Sequence, residues 1–211
     1  MNIFVSAIGN GITITCSMIC MSYLYRHAGG GRRRMSAWII GATFLVTGLQ
    51  FIFPEVLSVL RRDLVGLQRG EWWRMVTPLL VQPYGWLQCL FNGAFLIVFL
   101  PLAERLFGNR LLALYLIPGI AGQAVNYSWR PDGGGASTGV FGVMGALLAY
   151  VCRHRNQGPR QYFVFALLGL CGAGALCFVR DGHGPSMLIG ALTAAALRTR
   201  AAQSDEEAQS W

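Results

Sequence analysis

The chain has 211 residues, 54% of them hydrophobic and only 12% charged, with a mean hydropathy of +0.47 and a formal net charge of +8. A soluble domain carries about a quarter charged residues, so this composition points instead to an all-α polytopic membrane protein. All 17 basic residues are Arg, and they fall in short breaks between apolar runs; that is the pattern of topogenic loops rather than of a nucleic-acid surface.

Seven apolar segments follow one another, at 3–25, 37–60, 86–103, 111–128, 136–151, 162–179 and 185–197. The first lacks a positive leader region and a small-x-small cleavage site, and Arg26, Arg32, Arg33 and Arg34 follow it. It therefore reads as a retained transmembrane helix with its N-terminus outside, not as a signal peptide. The second segment runs into a long break, 61–82, which holds Leu64, Leu67, Trp72 and Trp73 with Tyr84 close by. These residues suit interfacial anchors or an amphipathic piece lying in the headgroup layer. Several later segments are shorter than the ~20 residues of a simple span. Such helices are tolerated where their ends are buried in protein or line a wet cavity. The residues after 201 form a polar, acidic tail.

Arginine counts set the expected orientation. With the first loop cytoplasmic, eleven Arg fall inside (Arg26, Arg32, Arg33, Arg34, Arg105, Arg110, Arg153, Arg155, Arg160, Arg198, Arg200). Six fall outside: Arg61, Arg62, Arg69, Arg74, Arg130 and Arg180. The bias obeys the positive-inside rule, and it brings the turn before Ser137 and the turn Asp181-Gly182-His183 to the same outer side. The six cysteines form no CxxC pair, no His stands at ligand spacing, and there is no HExxH. Neither a metal site nor a cofactor is expected.

Gly133-Gly134-Gly135-Ala136-Ser137-Thr138-Gly139 opens the fifth segment. Turn glycines permit tight backbone geometry and close approach, and the first amides of a helix can stabilise developing negative charge. A serine nucleophile needs both; a helix-packing run of small residues has the same look. His27 and His154 sit among loop arginines as solvated bystanders, whereas His183 lies at the outer mouth of the last segment, where an ionisable residue is a functional candidate. His183 could take the Ser137 proton and return it to a leaving amine. The Ser137 backbone N–H and the Asn92 amide could hold the oxyanion, with Gln88 four residues earlier on the same face. Asn92 could equally be an interhelical hydrogen bonder.

Taken in order, these motifs resemble the rhomboid family of intramembrane serine proteases. Glu71-Trp72-Trp73-Arg74-Met75-Val76-Thr77-Pro78 is similar to the family's Trp-Arg loop, and Leu90-Phe91-Asn92 to its asparagine motif. Glu104 with Gly108 resembles Glu-x-x-x-Gly, Gly135-Ala136-Ser137-Thr138 the Gly-x-Ser-x nucleophile motif, and His183 with Gly190 the final helix. The resemblance implies a six-helix catalytic core (35–201), preceded by an extra N-terminal transmembrane helix with its basic loop (1–34) and followed by the tail (202–211). It implies catalytic Ser137 and His183, supported by Asn92, Gln88, Gly135 and Phe141, the last packing on the histidine. No third acidic member is implied, so Asp181 need not orient His183. The helix at 162–179, with Gly169, Gly172 and Gly174, and the loop 179–182 would form a lateral gate for transmembrane protein substrates in the bilayer, in a bacterial inner membrane. Gln88 and Gln82 stand where many members have histidines. A catalytically weak or inactive rhomboid-like binder of membrane helices is therefore the second expectation. A small transporter would show internal repeats, and none is present.

Overall fold

In lipid, backbone amides have no solvent partner, so apolar runs close their hydrogen bonds internally as helices. The computed structural model describes residues 3–29 and 34–197. The tail 202–211, Arg198, Arg200, Arg32 and Arg33 lie outside the described residues. The helices are α1 (Ile3–His27), α2 (Arg34–Ile52), α3 (Pro54–Leu60), α4 (Leu64–Gln68), α5 (Gly85–Phe107), α6 (Leu111–Trp129), α7 (Ser137–Arg153), α8 (Arg160–Phe178) and α9 (His183–Ala196). Two short 3-10 turns, Trp72–Met75 and Thr77–Leu80, lie between α4 and α5. No strand occurs among the described residues.

Among the described residues, four helical stretches are long and apolar enough to cross a membrane: Phe4–His27, Arg34–Ile52, Gly85–Trp129 and Arg160–Phe178. The third folds back at Gly108, whose positive φ of 61° ends α5. The segment 37–60, expected as one helix, is broken at Phe53. A residue before proline is pushed to extended geometry, and Phe53 has φ −123° and ψ 95°, while Pro54 starts α3. The long break is not a free amphipathic helix. Arg74 staples it, donating to the carbonyls of Ser58 (2.9 Å) and Arg61 (2.8 Å) and pairing with Glu71 (2.5 Å).

The core centres on α7, whose residues 138–148 are all buried. A helix apolar all round belongs at the centre of a bundle. Its glycines allow backbone contact with α9: a Cβ on Gly190 would overlap the Gly142 carbonyl and lie 2.7 Å from Gly142 Cα. At the far end from Ser137, Glu104 of α5 accepts from Met35 N (2.8 Å), Ser36 N (2.9 Å) and Ser36 Oγ (2.6 Å). A carboxylate there satisfies orphan donors and complements the dipole at the start of α2, which gives the Glu-x-x-x-Gly motif a structural purpose.

Helix α1 lies along α8. A Cβ on Gly169 would stand 3.2 Å from Cys16 Cβ, and one on Gly172 would stand 2.9 Å from Thr13 Cγ2. Of the three α8 glycines, which could either loosen the helix or let it pack closely, Gly169 and Gly172 seat it against its neighbours, whereas a Cβ on Gly174 would meet nothing within 4 Å. Tyr23 stacks on Tyr162 at 4.5 Å, and Tyr25 Oη donates to Val98 O at 2.8 Å, tying α1 to α5 as well.

Candidate active site

Ser137 is the first residue of α7, and three glycines deliver the chain to it. Gly133, Gly134 and Gly135 have φ of 137°, 156° and 140°, a region that side chains rarely enter. The loop is pinned from three sides. Gly135 N donates to Pro78 O (2.7 Å), Gln88 Nε2 donates to Gly134 O (2.9 Å), and Arg62 N and Gly133 N exchange bonds with each other's carbonyls (2.7 and 3.1 Å). The buried Arg62 guanidinium donates to Arg130 O (2.9 Å) and to Gln123 Oε1. Gln123 in turn donates to Thr138 Oγ1 (3.1 Å). The residues flanking the serine are therefore held by α5, α6 and the Trp-Arg loop together.

His183 opens α9, and its Nε2 lies 2.9 Å from Ser137 Oγ. Phe141, one turn into α7, packs on the imidazole with ring centroids 4.4 Å apart and planes 30° apart. The other ring nitrogen faces Asp181, a residue that the resemblance did not require there. Nδ1 stands 2.7 Å from Asp181 Oδ1, although off the line of its N–H, and His183 N donates to the same oxygen at 3.1 Å. Oδ2 accepts from two residues of α1, Ser6 Oγ and Asn10 Nδ2, the latter at 3.0 Å. Burial works to raise the Asp181 pKa, but the hydrogen bond and charge of His183, with the Ser6 hydroxyl and the His183 amide, outweigh it. The carboxyl is held well below its ordinary range.

Asn92 and Gln88 both reach this region from α5. Asn92 Nδ2 donates one N–H to Gln82 Oε1 (2.6 Å), and Gln82 is clamped to Gln50 by a reciprocal pair of 2.8 Å bonds. Gln88 spans the gap from Tyr84 N (2.9 Å) to Gly134 O. Each primary amide has two N–H donors, so one remains on each for a ligand. A Cβ at Gly135 would displace the Gln88 amide, and the residue's φ of 140° already favours glycine. A cavity of 590 Å³ joins Ser137, His183, Asn92, Gln88, Phe141 and Asp181. Its walls include Asn10 and Ile14 of α1 and Leu87, Phe91 and Phe95 of α5, and no residue of α8.

The Rhomboid domain family model matches residues 69–199 of this chain. The chain belongs to the rhomboid family. It is 37% identical over 121 residues to YdcA of Bacillus subtilis, a protein assigned as a rhomboid protease, covering 53% of this chain and 60% of that one. It is 31% identical over 138 residues to the rhomboid protease GluP of the same organism, covering 62% of this chain and 27% of the relative. The match thus spans less than two thirds of either relative's length.

Family membership, with the apolar helices, makes this a multi-pass membrane protein of a protease family. Sequence reasoning brought forward Ser137, His183, Asn92, Gln88, Gly135 and Phe141, and the fold gathers all six. It passed over Ser6, Asn10 and Asp181. A signal was present: Ser6, Asn10, Thr13 and Ser17 recur at spacings of four, three and four, one face of a helix. A polar stripe in a membrane helix marks a buried face, and Ser6, Thr13 and Ser17 are buried.

Proposed function

We propose that this protein hydrolyses peptide bonds in or near transmembrane segments of other membrane proteins, with Ser137 as nucleophile and His183 as general base. The observation that carries the reading is the 2.9 Å approach of His183 Nε2 to Ser137 Oγ inside a walled cavity. That distance is within proton-transfer reach. The Ser137 proton moves to Nε2 as Oγ bonds to the carbonyl carbon. The imidazolium then gives that proton to the departing amine, leaving an ester on Ser137 that water hydrolyses with His183 acting again as base. The Ser137 backbone N–H and the free N–H groups of Asn92 and Gln88 are the donors for the oxyanion.

An intact helix keeps its amides hydrogen-bonded, so the substrate must unwind locally before attack. Substrates with small residues at the cut and helix-weakening residues nearby suit that step. The resemblance put the lateral gate at α8 and the loop 179–182; that loop lines the cavity through Asp181 and Gly182, whereas no residue of α8 does and α1 lies along α8. The walls that face one another are α1, through Asn10 and Ile14, and α5, through the exposed Leu87 and Phe91. The substrate therefore enters between α1 and α5. The arginine bias supports a cavity mouth on the extracytoplasmic side, and the bacterial relatives support a bacterial inner membrane as the setting.

The test uses the detergent-solubilised full chain with a fluorophosphonate probe and a quenched-fluorescent transmembrane peptide carrying Ala-Gly at its centre. The wild type is expected to label and to cleave, and Ser137→Ala and His183→Ala to do neither. Labelling that persists in Ser137→Ala sinks the protease reading. Peptide binding without cleavage by the wild type replaces it with the non-catalytic binder.

A further inference from the structure

We propose that Asp181, clamped by Ser6 and Asn10 of α1, is a positioning residue for His183, so that α1 is a working part of the active site and not an appended tether. This rests on the protease reading above. The chemistry requires one tautomer. Nε2 must be unprotonated to accept the Ser137 hydroxyl, so the neutral ring must carry its proton on Nδ1. Asp181 Oδ1, 2.7 Å from Nδ1, favours that form. When the Ser137 proton arrives, the ring holds two protons and a positive charge, which the buried carboxylate faces directly; the carboxylate takes no proton itself.

A lone carboxylate on the short loop 179–182 could swing away. Here both oxygens are engaged. Oδ1 is held by the His183 backbone N–H at 3.1 Å, and Oδ2 by Ser6 Oγ and by Asn10 Nδ2 at 3.0 Å. Ser6 and Asn10 lie one turn apart on the face of α1 that continues through Thr13 to the α8 contact. The seating of α1 on α8 thereby fixes the position of Oδ2, and Asp181 passes that position on to the ring. Asp181 Oδ1 also accepts from the backbone N–H of His183, the first residue of α9, so its carboxylate has both a structural and an electrostatic role. An Asn side-chain oxygen can accept the same bond but carries no charge, which separates the two.

The experiment measures kinact and KI for the fluorophosphonate on Asp181→Asn and Ser6→Ala. It also records the 15N spectrum of His183 in a His27→Gln/His154→Gln background, where it is the remaining histidine. For Asp181→Asn the expected result is a fall in kinact of about 10- to 100-fold with KI within twofold, scaled from the lost attraction between a close carboxylate and the imidazolium. For Ser6→Ala, which removes no cavity wall, the expected fall is about 3- to 10-fold. The wild-type spectrum should show the Nδ1–H tautomer and the Asp181→Asn spectrum a mixture of the two. An unchanged kinact in Asp181→Asn, or a fall matched by the unfolded fraction in a thermal melt with the tautomer unchanged, overturns the inference. If Asp181→Asn does not fold, Ser6→Ala decides: wild-type kinact overturns the inference and the stated fall supports it. Labelling retained by Ser137→Ala strikes the protease reading instead, so the two failures are distinct.

Discussion

Gly190→Ala is the sharpest test of how the fold makes the site. Ser137 and His183 open α7 and α9, and these helices touch backbone to backbone where Gly190 meets Gly142. The added methyl would overlap the Gly142 carbonyl and stand 2.7 Å from its Cα. Neither atom belongs to a side chain, so no rotamer change relieves the clash, and the helices must separate by roughly 1.5 Å to restore ordinary contact. Overpacking of this kind costs about 1–3 kcal/mol, or roughly 2–12 °C in Tm for a chain of this size. The same movement carries His183 Nε2 away from Ser137 Oγ. A displacement of about 1 Å at a reacting pair can lower the rate about 100-fold. The assay pairs a thermal melt in detergent with the fluorophosphonate rate, and Gly174→Ala on α8 serves as the control. A Cβ there meets nothing within 4 Å, so the melt should hold or rise slightly. Gly190→Ala behaving like Gly174→Ala in both measurements would refute the claim that backbone contact sets the Ser–His distance.

Asn92→Ala should lower kcat on the peptide about 100-fold with little change in KM, as loss of an oxyanion donor does. Gln88→Ala should cost less than Asn92→Ala, because part of its work is to hold Gly134 O, and it should lower the melt as well; steady-state kinetics and a melt separate the two. Arg74→Lys should destabilise by about 1–3 kcal/mol, since an ammonium cannot hold Glu71 and two carbonyls in the same fork; an unchanged melt would remove Arg74 from the scaffold. Asp181 has a depressed pKa in the fold, so its contribution to stability is present above the unfolded carboxyl value near 4 and lost as pH falls through the lower folded value. The melt of Asp181→Asn should therefore lie below wild type at pH 7, and the gap should close as pH drops below about 4. A gap that stays constant to pH 3 argues against a charge role.

The helices were legible because the bilayer leaves so few options. Apolar runs separated by arginines have to become helices, and the segment limits fell within a few residues of the observed ends for α1, α6, α7, α8 and α9. The break at Phe53-Pro54 was legible too, from the proline, but hydropathy smooths over it. The Trp-Arg loop was harder. Its residues read as interface anchors, and Trp72 is indeed exposed, yet the decisive member is the buried Arg74. Its partners are carbonyls of Ser58 and Arg61, which every residue possesses and no sequence pattern advertises.

Sequence alone determined that this chain spans a membrane as helices and that a serine stands just after three turn glycines, and it marked the late histidine as the candidate to meet it. These follow from local rules: hydropathy, glycine geometry, and the rarity of an ionisable group at a helix mouth. Only the tertiary structure decided which groups surround that pair. It closed the Ser137–His183 distance through glycine contacts far along both helices. It tied Asn92 to Gln82 and Gln50, and it laid α1 over α8 so that Ser6 and Asn10 reach Asp181 across more than 170 residues of sequence. Such contacts depend on how helix faces choose one another. That choice is made by the sum of many small packing and hydrogen-bonding gains over the whole bundle, which no single stretch of sequence contains.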